Sequence, residues 1–166
     1  MVKNSFTLIE MMVVVTIILL LSGASLAWYG NLTKAQSLDK ELEHIRSLLE
    51  AAKTNASTGS TELCTNPTTS NISGYDVEFT AGSVALRPNC DTSPTPVVYK
   101  PSDQLIVGTP VTTVHFNTDG TPASAVCLPF GYVGSTRCSY LNVSETGLIT
   151  SGECTQCTPS FICPCN

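Results

Sequence analysis

From Met11 to Thr33 the chain carries no charged residue. The run reads Met11-Met-Val-Val-Val-Thr-Ile-Ile-Leu-Leu-Leu21 and continues Ser-Gly-Ala-Ser-Leu-Ala-Trp28-Tyr29. A helix over Met11–Tyr29 would rise about 28 Å, close to the hydrocarbon thickness of a bilayer. Trp28 and Tyr29 fall at its far end, where amphipathic rings favour a membrane interface. The run is apolar all round, which does not suit the one-sided stripe of an ordinary core helix. Composition carries the same message. Charged residues make up 13% of the 166, against roughly 25% in soluble domains. The net charge of −5 argues against a nucleic-acid binder. A hydrophobic share of 42% argues against a disordered chain. Eight cysteines argue against a reduced cytosolic enzyme without a metal site. An exported chain with a membrane-inserted precursor remains.

Two membrane readings compete. In one, Lys3 is the basic start of an ordinary secretory signal, Met11–Leu21 its apolar core and Ser25-Leu26-Ala27 its cleavage site. In the other the helix is retained. Glu10 favours the second, because an acid opening an apolar run is costly in lipid and implies a partner.

The stretch Lys3-Asn4-Ser5-Phe6-Thr7-Leu8-Ile9-Glu10 resembles the class III signal of type IV pilins and type II secretion pseudopilins. That signal is a short basic leader, a small residue, then Phe-Thr-Leu-Ile-Glu and a long apolar run. The family usually has Gly at the small position, where Ser5 stands here. The resemblance implies a prepilin peptidase that cuts between Ser5 and Phe6 and N-methylates Phe6. It implies a membrane anchor in lipid before assembly, an inner-membrane assembly platform, and a homo-oligomeric helical filament or other pilins as partners. It also implies that Glu10 pairs with the positive N-terminus of a neighbouring subunit, with Thr7 adding a hydrogen bond nearby. A carboxylate in a low-dielectric bundle needs such a cation.

Beyond the uncharged run, Leu32, Ala35, Leu38, Leu42, Ile45, Leu49 and Ala52 recur at three- and four-residue steps. That is one apolar stripe. Lys34, Lys40, Glu41, Glu43, Arg46, Glu50 and Lys53 fill the polar remainder, with an Arg46–Glu50 ion pair possible one turn apart. A helix from Phe6 to about Lys53 is expected. Gly23 and Gly30 are its weak points. Asn55-Ala-Ser-Thr-Gly-Ser-Thr61 reads as a polar linker. Eight β-rich runs follow: Tyr75–Thr80, Ser83–Arg87, Thr95–Lys100, Gln104–Val107, Val111–Asn117, Ala123–Leu128, Cys138–Val143 and Gly147–Thr150. Asp119-Gly120 signals a hairpin. The expected organisation is a leader (1–5), a transmembrane or filament-core helix (6–29), an amphipathic continuation (30–56) and a disulfide-rich β head (57–166). The fold class is α+β and pilin-like, with the long helix packed on an antiparallel β-sheet. Val114–Gly120 and Tyr140–Ile149 also resemble the hairpin and closing strands of pseudopilin H and FimT-type minor pilins.

All the cysteines lie in the head: Cys64, Cys90, Cys127, Cys138, Cys154, Cys157, Cys163 and Cys165. An even number in an exported domain reads as disulfides. Sequence alone allows on the order of a hundred pairings. Cys127 with Cys138 is the local bridge expected, since both flank a Gly/Pro-containing loop. The tail cluster Cys154-x-x-Cys157-x5-Cys163-x-Cys165 has the thiolates for zinc, but it contains no histidine, so no metal or cofactor is expected. His44 and His115 sit in no catalytic motif, and His115 reads as a half-buried strand residue. No enzyme activity is expected. Five acids balance five bases over residues 1–53, so the whole −5 belongs to residues 54–166.

The expected function is a structural subunit of a type IV pilus-like extracellular filament, starting as a single-pass inner-membrane precursor. A type II secretion pseudopilin or priming minor pilin is the first alternative. A secreted disulfide-rich binding module with an ordinary signal peptide is the second.

Overall fold

The computed structural model describes residues 7–66, 68, 70–80, 82–91, 94–108, 113–157 and 161–165, with backbone alone at 23–29 and 31. Ser5 and Phe6 lie outside the described residues. One helix, α1, runs Leu8–Thr58 over 51 residues, or about 76 Å at roughly 1.5 Å per residue. It passes through Gly23 and Gly30 without a break. Thr7 is its N-cap, in an extended conformation, and its hydroxyl accepts the Glu10 backbone N–H at 3.4 Å.

The helix ends later than its composition suggests. Residues 55–58 read as linker because they are polar, yet Ala56 is fully buried one turn after Ala52. The Ser57 and Thr58 hydroxyls donate back to the Thr54 carbonyl at 2.9 Å each, so their polarity is satisfied within the helix. Gly59 stops it in the left-handed conformation at φ 63°. The Ser60 N–H bonds the Asn55 carbonyl and the Gly59 N–H bonds that of Ala56, a Schellman ending.

Eight strands follow among the described residues. β1 (Ile72–Thr80), β2 (Ser83–Cys90), β3 (Val97–Tyr99) and β5 (Thr113–Asn117) form one sheet in the order β3-β2-β1-β5. β4 (Leu105–Val107), β6 (Val126–Tyr132), β7 (Cys138–Val143) and β8 (Ile149–Glu153) form a second in the order β4-β6-β7-β8. All pairings are antiparallel. The fold is α+β with two sheets, where one was expected. Asp119-Gly120 explains the difference. The turn does form: the Asn117 N–H bonds the Thr121 carbonyl, and Phe116 bridges Pro122. But the returning chain leaves after Ala123 and pairs in the other sheet, so β5 and β6 are not a hairpin. The runs predicted for β6 and β8 are displaced toward the C-terminus by about two residues or more, and Val111 and Thr112 of the β5 run lie outside the described residues.

Both sheets pack on the second half of α1. Leu38, Leu42, Ile45, Leu49, Ala52 and Ala56 are buried against Tyr75, Val77, Phe116, Leu128, Phe130 and Val143. Each large side chain so buried contributes about 1.5–3 kcal/mol. The stripe starts at Leu38. Leu32 is exposed and Ala35 only half-buried, because the sheets do not reach them. Arg46 and Glu50 form no ion pair among the described residues. In the first half, every described residue of Leu8–Ser22 is exposed. Among the described residues no helix is long and apolar enough to cross a membrane.

Candidate functional site

Two places carry the residues singled out above. The first is the start of α1. Thr7-x-x-Glu10 is a capping-box spacing, and the observed bond from the Glu10 N–H to Thr7 makes Thr7 the residue that starts the helix. Glu10 follows within the first turn, exposed, at the positive end of the helix dipole. The exposed stretch Leu8–Ser22 also holds two hydroxyls, Thr16 and Ser22. Each donates to the carbonyl one turn earlier, Met12 and Ile18, at 2.7 Å.

The second is the head and its attachment to the rod. Side chains read as the solvated face of the helix instead fasten three loops. Lys34 donates to the carbonyls of Val133 and Gly134 in the β6–β7 turn, at 3.4 Å each. Lys53 donates to the Gly147 carbonyl in the β7–β8 turn at 2.8 Å. Glu41 accepts the Tyr99 hydroxyl and the Ser102 N–H, fixing the corner between β3 and β4. Burial first, then the hydrogen bond to Glu41 and its charge, push the Tyr99 hydroxyl far above its usual range. The His44 ring stacks on Tyr99 with centroids 4.2 Å apart. No local signal could have revealed these contacts, because each joins residues tens of positions apart.

The eight cysteines form four bridges: Cys64–Cys90, Cys127–Cys165, Cys138–Cys157 and Cys154–Cys163. The expected Cys127–Cys138 bridge does not form. Across the β6–β7 ladder Cys138 sits opposite Gly131 and Cys127 opposite Asn142. That register separates the two cysteines by four strand residues, roughly 13 Å at about 3.3 Å each, far beyond disulfide reach. The tail supplies partners for both instead. Its own hairpin, closed by Cys154–Cys163, pairs Gln156 with Ile162. It brings Phe161 over sheet two, where Gly108 and Gly131 make room: a Cβ on Gly108 would come within 2.7 Å of the ring.

On the outer face of sheet one, His115 Nδ1 lies 2.5 Å from Asp76 Oδ1, and Arg87 pairs with Glu78 at 2.7 Å. His115 is thus a half-buried strand residue bonded to its cross-strand neighbour. Among the described residues no cluster of His, Cys, Asp and Glu could hold a metal ion.

Residues 1–26 match the family model described as the prokaryotic N-terminal methylation motif. Comparison with curated proteins and with solved structures finds no match. The N-terminus therefore carries a type IV pilin-like class III signal, the kind processed by a prepilin peptidase.

Proposed function

We propose that the chain is a structural, non-catalytic subunit of a type IV pilus-like filament, anchored in the inner membrane before assembly. The methylation motif at residues 1–26 is the observation that carries this reading. The helix supports it: one unbroken rod presents an apolar stretch, Leu8–Ser22, whose described residues are all exposed, and a second half clad by the head. Thr16 and Ser22, with hydroxyls bonded to their own backbone, suit lipid or a helical bundle. In this reading the peptidase cuts before Phe6 and methylates it, and Glu10 pairs with the new N-terminus of a neighbour.

Mass spectrometry of the mature protein tests the proposal. The expected terminus is N-methylated Phe6. A chain starting at Trp28 would overturn it in favour of ordinary secretion. If the terminus is Phe6 but the protein is scarce in filaments, and its deletion stops secretion or piliation, the role is that of a pseudopilin or priming minor pilin.

A further inference from the structure

The flank of α1 that faces β7 and β8 opens into a cleft of about 270 Å³. Leu42, Arg46, Leu141 and Ser139 line it, with Glu43 and Glu153 among the charged residues around them. Ser139 is only 5% exposed, and its hydroxyl has no hydrogen-bond partner among the described residues. The hydroxyl is not sealed in the core, since Ser139 lines the cleft, so it is free to bond an arriving polar group. The charges lining the cleft are uneven. Arg137 is held by Glu153 and lies 3.8 Å from Asp39. Glu43 and Arg46 have no ion-pair partner among the described residues. Three carboxylates against two guanidiniums leave a net negative socket.

The head has one cation to match. Of its three bases, Arg87 is paired with Glu78 and Arg137 with Glu153. Lys100 is exposed and has no partner among the described residues. It stands on a fixed corner, because the residues on either side, Tyr99 and Ser102, both bond Glu41. Exposed Val97 and Val98 lie beside it on the free edge of β3. Glu41, which holds the corner, and Arg46, which lines the cleft, are about 140° apart around α1 at roughly 100° per residue. The cation and the socket therefore occupy different flanks of one molecule.

We propose that this cleft is a socket for Lys100 of a second copy of the chain, its ammonium reaching Glu43 and Glu153 and donating to the Ser139 hydroxyl. The inference rests on the filament reading and names the head contact within it. Because it joins two different faces, the contact is heterologous and repeats along an open array instead of closing as a two-fold pair.

Charge exchange in the full-length protein tests it. Lys100→Glu is expected to lower the yield of sheared filaments about tenfold or more, as losing one member of a desolvated ion pair does. Lys100→Glu combined with Glu43→Lys should restore most of the yield. Carbodiimide, which joins amines to nearby carboxylates, should give a covalent ladder from native filaments through Lys100 and Glu43 or Glu153. Lys100→Arg keeps the charge and should assemble normally, yet mass spectrometry of its cross-linked filaments should lack the peptide that joins position 100 to Glu43 or Glu153. Wild-type yield from Lys100→Glu, or native filaments whose cross-linked peptides never join Lys100 to Glu43 or Glu153, would overturn the socket alone. Absence of filaments from the unmodified chain would overturn the filament reading and the socket with it.

Discussion

The two halves of α1 have the same backbone and opposite surroundings. From Leu38 onward the apolar residues occupy one stripe, and two sheets bury it. From Leu8 to Ser22 they occupy every side, and every described residue is exposed. Helical geometry is continuous across both, so the local fold does not distinguish them. The distribution of apolar residues around the axis does. A stripe can be satisfied by one's own chain, whereas a fully apolar cylinder needs lipid or other helices. The clad half thus carries the head's stability, and in the proposed filament reading the bare half carries the contacts with lipid or neighbouring helices.

The sharpest way to break this comparison is to put a charge in each half. Ile45→Asp places an unpaired carboxylate at a fully buried site. It should cost more than about 4 kcal/mol and abolish the cooperative thermal transition of the detergent-solubilised chain. Leu19→Asp lies on the exposed half. It should leave the head's Tm unchanged while removing the protein from membranes and filaments. Equal loss of Tm in both variants would show that the halves are not independent.

Removing bridges comes next. Cys127→Ser with Cys165→Ser opens a loop with a sequence separation of 38 and should cost about 3–4 kcal/mol by loop-closure entropy. The loss should appear as a Tm lower by on the order of 10–20 °C. It should also speed proteolysis at the end of the tail, because Phe161 then loses one of the covalent ties around it while Cys154–Cys163 and Cys138–Cys157 remain. A smaller effect is expected on the rod side. Lys53→Met removes a charged donor from the Gly147 carbonyl and should cost about 1–2 kcal/mol. Hydrogen exchange should rise first in the β7–β8 turn. Uniform loss of protection across the head would mean that Lys53 acts on the whole core and not as a fastening of one turn.

What was legible in the chain follows from the range of each interaction. The helix, its stripe from Leu38 and the eight β-rich runs show in local periodicity, because apolar spacing is set by neighbours three, four or two residues away. The end of the helix was hidden, since Ser57 and Thr58 look like loop residues until their hydroxyls bond back to Thr54. Two sheets instead of one could not be read, because Asp119-Gly120 makes the same turn whether the returning chain pairs beside β5 or leaves it. The Cys127–Cys138 expectation failed for a related reason. Nearness in sequence does not fix the strand register, and register is what holds the two apart. The start of the candidate assembly site was readable as a motif. The fastenings by Lys34, Glu41 and Lys53 were not, since each depends on a loop that only the completed fold brings to the helix.

The mildest perturbation is alkaline pH, and it too separates the rod from the head. Tyr99 and Tyr75 both have hydroxyls whose pKa is raised, in each case chiefly by burial. For Tyr99 the Glu41 carboxylate adds to the effect, because it accepts the hydroxyl proton and repels a phenolate. A raised folded-state pKa means that the folded protein holds its proton after the unfolded chain has released it. The stabilisation is therefore complete below about pH 10, the ordinary tyrosine value, and is lost progressively as pH rises above it. The Tm of the head should fall in that window while the helical signal of the bare half persists. Tyr99→Phe has no ionisable hydroxyl, so its Tm should start lower at pH 8 and decline less steeply above pH 10. A decline as steep as that of the unmodified chain would place the alkaline sensitivity in Tyr75 or elsewhere, not in the corner that Glu41 holds against the helix.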